Sequence, residues 1–270
     1  MADRVLVDGE FVASVPSTDR GLAYGDGIFR TVRIARGNPV AWPDHLARLR
    51  FDCGALELPT PDGAQLTSDM RRLFTRDDDG VCKIMVTRGS GGRGYTPPTG
   101  SVRRIVAAHA LPAHADVVPE PLELGRSSIV LAGQPRLAGV KHLNRLEQVL
   151  ARGECERLGH ADAWMSDSTG FVVATTMRNL FFIDEQGCWH TPAITRAGII
   201  GATRQRLMRA MRQRHVELLE RDISPQELEG FVGALACNSV AGIAAVARID
   251  GRALAGSDQA AQWARSILDS

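Results

Sequence analysis

Apolar and polar residues alternate at the start of the chain. Arg4-Val5-Leu6-Val7 runs into Asp8-Gly9, and Glu10 to Ser14 follow, a pattern that predicts a β-hairpin. Period two returns at Thr31 to Ile34, and Gly37-Asn38-Pro39 turns the chain into another strand. The period then lengthens. Pro43 and Asp44 open a helix with Leu46, Leu49, Cys53 and Leu56 at helical spacing, and a second helix is expected from about Ser68 to Phe74. "VCKIMVTRG" and "VRRIVAAHA" read as strands on either side of the loop "SGGRGYTPPTGS".

"LPAHADVVPEPLELG" carries three prolines and no helical period, which marks a linker. Past it the pattern predicts a strand near Ser128–Leu131 and a long amphipathic helix bearing Leu143, Leu146, Leu150 and Leu158. Two hairpins follow, turning at Asp167–Gly170 and Asp184–Gly187. A Gly-studded run becomes a helix around Gly201–Met211, and "FVGALACNSVAGIAAVA" reads as buried strands with a sharp bend. A last helix covers about Asp258 to Leu268. The fold class is α+β in two domains, 1–115 and 125–270, joined by a linker at 116–124. The first is a small α/β domain.

Composition narrows the function. The chain has 270 residues, 44% hydrophobic and 23% charged, with a formal net charge of +1. That balance suits a globular protein with a substantial core and gives no field to steer it to nucleic acid or an anionic membrane. Five cysteines, Cys53, Cys82, Cys155, Cys188 and Cys237, lie far apart with no CxxC, which points to reduced thiols and a cytoplasmic protein. The charged, alternating N-terminus is not a signal peptide.

Two places hold chemistry. In "TRAGIIGATRQ", Gly198 and Gly201 stand just before a helix, where the backbone can approach a ligand and N–H groups favour an anion. Taken alone this stretch is a plain loop-to-helix turn, since no Gly-Lys-Ser/Thr follows. Arg48, three residues after His45, is a candidate partner for such an anion. Lys141 follows Ala138-Gly139-Val140 and precedes the long helix. A desolvated lysine there has a lowered pKa and serves as nucleophile or base, whereas a phosphate beside it favours its charge; the sequence leaves that sign open.

Together, DRGLAYGDGIF, HLARL, TRGSGGRGY, GVKHLNRLEQVLAR, NLF, GIIGATRQ and CNSV resemble the fold-type IV pyridoxal-phosphate enzymes. That group contains branched-chain and D-amino-acid aminotransferases and 4-amino-4-deoxychorismate lyases. The resemblance covers nearly the whole chain. "TRGSGGRGY" and "KHLNRLEQVLAR" are similar to the lyase in particular, with aminotransferase action on D- or branched-chain amino acids as the alternative. The resemblance implies a C-terminal domain with a barrel-like core and a cofactor in the interdomain cleft. It also implies a homodimer acting on a small-molecule substrate with no second cofactor, and the sequence carries no metal-ligand constellation. By the same resemblance Lys141 is expected to carry pyridoxal phosphate as a Schiff base. Arg48, backbone N–H groups of Ile199 and Ile200, and Asn238 and Ser239 are expected to hold the phosphate. Arg20, Arg93, Tyr95 and Arg145 are candidates to meet the substrate's carboxylates.

The chain departs from the family at one point. A glutamate normally stands five residues ahead of the Asn in N-L-F and keeps the pyridine nitrogen protonated; here that position is Ala174, and no acid lies between Gly170 and Phe182. Either another group or water takes over, or the ring nitrogen is neutral and accepts a hydrogen bond from Thr175 or Thr176. A weaker electron sink harms transamination more than a lyase reaction that gains from aromatisation.

Overall fold

The computed structural model describes residues 4–12, 14–100, 102–112 and 118–269. They form two compact units. One spans 4–112 and takes in Val140–Asn144; the other runs through 118–139 and 145–269.

The first unit is a five-stranded antiparallel sheet backed by helices. In chain order it holds β1 (Arg4–Val7), a short α1 (Arg20–Tyr24), β2 (Gly27–Ala35), β3 (Asn38–Pro39), α2 (Trp42–Ala55), α3 (Gly63–Leu73), β4 (Gly80–Thr87) and β5 (Arg103–His109). The strand order is β1-β5-β4-β2-β3. The expected N-terminal hairpin is reduced to one bridge, Val7 to Glu10, because β1 pairs instead with β5. Strand alternation sends Ile28, Val32 and Ile34 of β2 and Cys82, Ile84 and Val86 of β4 to one face. Leu49 and Cys53 of α2 and Leu66, Met70 and Leu73 of α3 cover that face, and Val140 completes the core. Asp62 caps α3, its side chain accepting from the Ala64 N–H at 3.0 Å.

Val140–Asn144 belong to this unit although the sequence reading placed them in the second domain. The reason is strand pairing. Phe29 N–H donates to the Lys141 carbonyl at 2.9 Å and Leu143 N–H to the Gly27 carbonyl at 3.0 Å, so the lysine run lies along the N-terminal half of β2. β3 occupies the other half of that edge.

The second unit holds β6 (Leu122–Arg126), α4 (Leu146–Leu158), β7 (Asp162–Ser166), β8 (Val172–Thr175), β9 (Asn179–Asp184), β10 (Trp189–Pro192), α5 (Ala202–Gln213), β11 (Leu218–Arg221), β12 (Phe231–Asn238), β13 (Gly242–Ile249), β14 (Arg252–Ala253) and α6 (Ser257–Asp269). Their sheet runs β11-β10-β9-β12-β13-β6-β7-β8, with β14 beside β13. Its two ends approach each other: the Val172 N–H of edge strand β8 donates to the Ile223 carbonyl, two residues past edge strand β11. The sheet is therefore curled, around a core that includes Phe182, Phe231, Leu180 and Val246. α5 and α6 cover its outer side through Leu207, Met211, Ala261 and Ala264.

Three expectations change here. Part of the segment read as linker, Leu122 to Leu124, is strand β6, paired with β13 and β7; residues 116 and 117 lie outside the described residues. The strand expected at Ser128–Leu131 is a single bridge from Leu131 to Asp167. The leucines expected to bury one face of α4 do the reverse. Leu143 precedes the helix, while Leu146 (76% exposed), Val149, Leu150 and Leu158 face outward, and the small Ala151 and Cys155 face inward.

Candidate active site

In the first unit, α2 and β2 bring Arg48, Asp52 and Arg30 together below the surface. Arg48 Nη2 donates to Asp52 Oδ1 at 3.2 Å, and Arg30 pairs with the other carboxylate oxygen. Arg48 is 4% exposed and Asp52 fully buried. Burial pushes the Asp52 carboxyl up, against Arg30, Arg48 and the backbone N–H of Lys141, which also donates to it. Arg48 also lies over the Phe51 ring, 4.2 Å from its centroid. The lysine run and the candidate phosphate arginine thus share one acid. The Lys141 ammonium sits 4.2 Å from the centroid of the Phe29 ring.

Arg20 is committed elsewhere in this unit. Its Nε donates to Asp26 at 2.8 Å, and its terminal nitrogens donate to the Gly94 and Tyr95 carbonyls at 2.9 and 3.1 Å. Arg88 Nε donates to the same Asp26 oxygen at 2.8 Å. Burial raises the Asp26 carboxyl, but Arg88 and Arg20 together hold it below its ordinary value. Arg20 therefore holds the Gly/Arg-rich loop in place, which displaces it as a substrate ligand. Arg93 and Tyr95 are exposed on that loop, and the Tyr95 ring packs at a tilt against Tyr24, centroids 5.4 Å apart. Arg145 stands at the N-cap of α4 in the second unit.

In the second unit the loop before α5 is held by its own hydrogen bonds. Ile200 N–H is not available to a phosphate, because it donates to the Gly139 carbonyl at 3.1 Å. Ile199 presents its carbonyl to Asn179 Nδ2 at 2.8 Å, and Gly201 N–H donates to Asn179 Oδ1 at 3.0 Å. Asn179 thereby shapes the loop, a role its place in "NLF" did not disclose. Gly198, at φ +92°, and Gly201 are required: a Cβ would meet Val173 Cγ1 at 2.4 Å and Asn179 Oδ1 at 2.5 Å respectively.

The groups that can receive an anion are at the start of α5. A helix leaves its first N–H groups without intrahelical acceptors, here those of Ala202, Thr203 and Arg204. Thr203 Oγ1 lies 3.3 Å from Ser239 Oγ. Asn238 shapes the turn that places Ser239, its Oδ1 accepting from the Val240 and Ala241 N–H groups at 3.0 and 2.8 Å. Two hydroxyls beside a helix start suit a phosphate. The sequence reading missed Thr203, whose signal was a hydroxyl in the first helical turn after "GIIGA".

Thr175 does not serve the ring nitrogen. Its hydroxyl donates to Asp162 Oδ2 at 2.8 Å, and Thr176 Oγ1 donates to Asp162 Oδ1 at 2.6 Å. Arg178 Nη1 donates to the same fully buried carboxylate at 2.8 Å. Each hydroxyl proton is thus spent within β7–β8. Ala174 lies in an apolar cluster with Leu131, Ala151, Met165, Val173 and Ala197.

Thiol chemistry has no support. All five cysteines are free, and burial pushes Cys53, Cys82 and Cys237 up to about 12, where they are inert packing residues. Asp184, Cys188 and His190 do gather at the β9–β10 turn, their candidate ligand atoms all within 4.8 Å. Arg221 Nε donates to His190 Nδ1 at 3.1 Å, however, which puts the ring proton on Nε2, facing Asp184 Oδ2 at 2.8 Å. That tautomer makes a hairpin clip, with no lone pair on Nε2 for a metal.

The chain belongs to the class IV aminotransferase family, whose model matches residues 27–249. An aminodeoxychorismate lyase from Vibrio harveyi is 32% identical over 246 residues, covering 90% of each chain. The crystal structure of 4-amino-4-deoxychorismate lyase from Pseudomonas aeruginosa superposes with a TM-score of 0.86 at 38% identity, over 98% of this chain and 97% of that one. The branched-chain amino acid aminotransferase of Escherichia coli shares the fold at 22% identity, with a TM-score of 0.85.

Proposed function

We propose that the protein is a pyridoxal-phosphate-dependent lyase that converts 4-amino-4-deoxychorismate to 4-aminobenzoate and pyruvate, a step toward folate. The observation that carries this reading is the match to two lyases of that name along nearly their whole length, at identities above those of the aminotransferases. The loss of the family's acid at Ala174 favours the same choice. The start of α5 with Thr203, and Ser239 beside it, are the candidates for the phosphate in the second unit, and Arg48 is the candidate in the first. When bound, the cofactor supplies an electron sink for the carbon that bears the substrate's amino group. Lys141 takes the proton from that carbon through Nζ and returns it to the departing enolpyruvyl group, which leaves as pyruvate. One amine serves both transfers because Phe29 and the β2 pairing fix its position.

The test is incubation with 4-amino-4-deoxychorismate, reading pyruvate and 4-aminobenzoate. A new amino acid formed with 2-oxoglutarate, and no pyruvate, would overturn the reading. Arg48→Ala is expected to weaken cofactor binding by roughly 1.5–3 kcal/mol, the worth of a charge-assisted hydrogen bond. A cofactor titration with unchanged affinity would show that another residue holds the phosphate.

The protein acts as a cytoplasmic homodimer in this reading. The outward stripe of Leu146, Val149 and Leu150 on α4 supports the dimer, since a subunit interface covers such a face. Free cysteines support a reducing compartment, and no helix among the described residues is long and apolar enough to cross a membrane. Sedimentation showing a monomer that remains fully active on dilution would remove the dimer.

A further inference from the structure

We infer that Lys83 binds a carboxylate of the substrate and so sets specificity; the inference rests on the lyase reading above. Lys83 lies in the middle of β4, paired with Thr31 of β2 and Ala107 of β5. Strand alternation places it on the sheet face opposite the hydrophobic core, where Phe29 and Met85 form the adjacent pair. Its ammonium is 5.4 Å from the centroid of the Phe29 ring, the ring that the Lys141 ammonium approaches to 4.2 Å. Among the described residues no carboxylate pairs with it.

A half-buried cation in the centre of a sheet, beside an aromatic ring, a methionine and an alanine, is poorly compensated. Cation–π contact alone recovers only part of the lost hydration. An anion answers it. In the lyase reading the cofactor phosphate is assigned to Arg48, which joins Asp52 and Arg30. The Lys141 amine, which moves the proton in that reading, approaches the same Phe29 ring as Lys83. The anion that arrives there with the reacting amino group is the substrate, which carries two carboxylates. Lys83 holds one of them and orients the amino-bearing carbon toward Lys141.

The experiment compares wild type, Lys83→Met and Lys83→Arg in the cofactor-loaded protein. Lys83→Met is expected to raise KM about tenfold to a hundredfold, with cofactor affinity unchanged and Lys83→Arg restoring most of the loss. Product binding measured by calorimetry identifies the carboxylate. Weaker 4-aminobenzoate binding in Lys83→Met, with aniline unaffected, assigns the ring carboxylate; weaker pyruvate binding assigns the enolpyruvyl one. The inference is overturned if neither product binds more weakly, if aniline binding falls in parallel, or if only kcat falls. Should wild type bind 4-aminobenzoate without forming it, the lyase reading fails while the Lys83 comparison still stands.

Discussion

Borohydride reduction of the cofactor-loaded protein is expected to bleach its yellow absorbance and leave a pyridoxyl label on Lys141. Lys141→Ala is expected to lose that label and to reduce 4-aminobenzoate formation by on the order of 10²–10⁴-fold or more, since the base and the cofactor's attachment vanish together. The expectation follows from position. The Lys141 run is pinned to β2 by two backbone hydrogen bonds, and its N–H reaches the acid that also binds Arg48. Mass spectrometry is the measurement, and it has a built-in competitor. Lys83 approaches the same aromatic ring, so a label on Lys83, or on no lysine, would end the assignment.

The second large effect concerns Asp52. Asp52→Asn keeps the side chain's shape but leaves Arg30 and Arg48 buried around a neutral group. Breaking a buried ion pair by removing one partner's charge costs about 3–5 kcal/mol. Urea unfolding of the cofactor-free variant is expected to show that loss, and cofactor titration a weaker affinity as Arg48 loses its anchor. Stability equal to wild type would mean that water already shields the cluster.

Much of the architecture was legible because local chemistry decided it. The hairpin turns at Asp167–Gly170 and Asp184–Gly187, the bend in "CNSVAG" and the helix after Gly201 all fall where the turn and helix-start residues put them. What was not legible depended on tertiary partners. Leucines at helical spacing predicted a buried face on α4, but the sheet accepts only Ala151 and Cys155 there. Ile200 looked like a phosphate donor until Gly139 took its proton, and Thr175 like a ring partner until Asp162, thirteen residues upstream, took the hydroxyl. Asp52 is the same case in the first unit: it reads as one more charged helical residue, and only the fold shows it joining Arg48 to Lys141.

The pairing of the lysine run with β2 also constrains how the protein is made. Ile28 and His142 are bridged across more than a hundred intervening residues, and Val140 fills the core of a unit otherwise built from the chain before residue 113. On the ribosome, the first unit cannot close until the chain has emerged past Asn144. Its early form exposes the Phe29 N–H and the Gly27 carbonyl on an open strand edge, which invites pairing with a neighbouring nascent chain. A polypeptide ended near residue 112 would keep that open edge permanently. The residue proposed to perform the chemistry is therefore also part of the last segment to complete its sheet, so an N-terminal unit folded to its final state already carries Lys141.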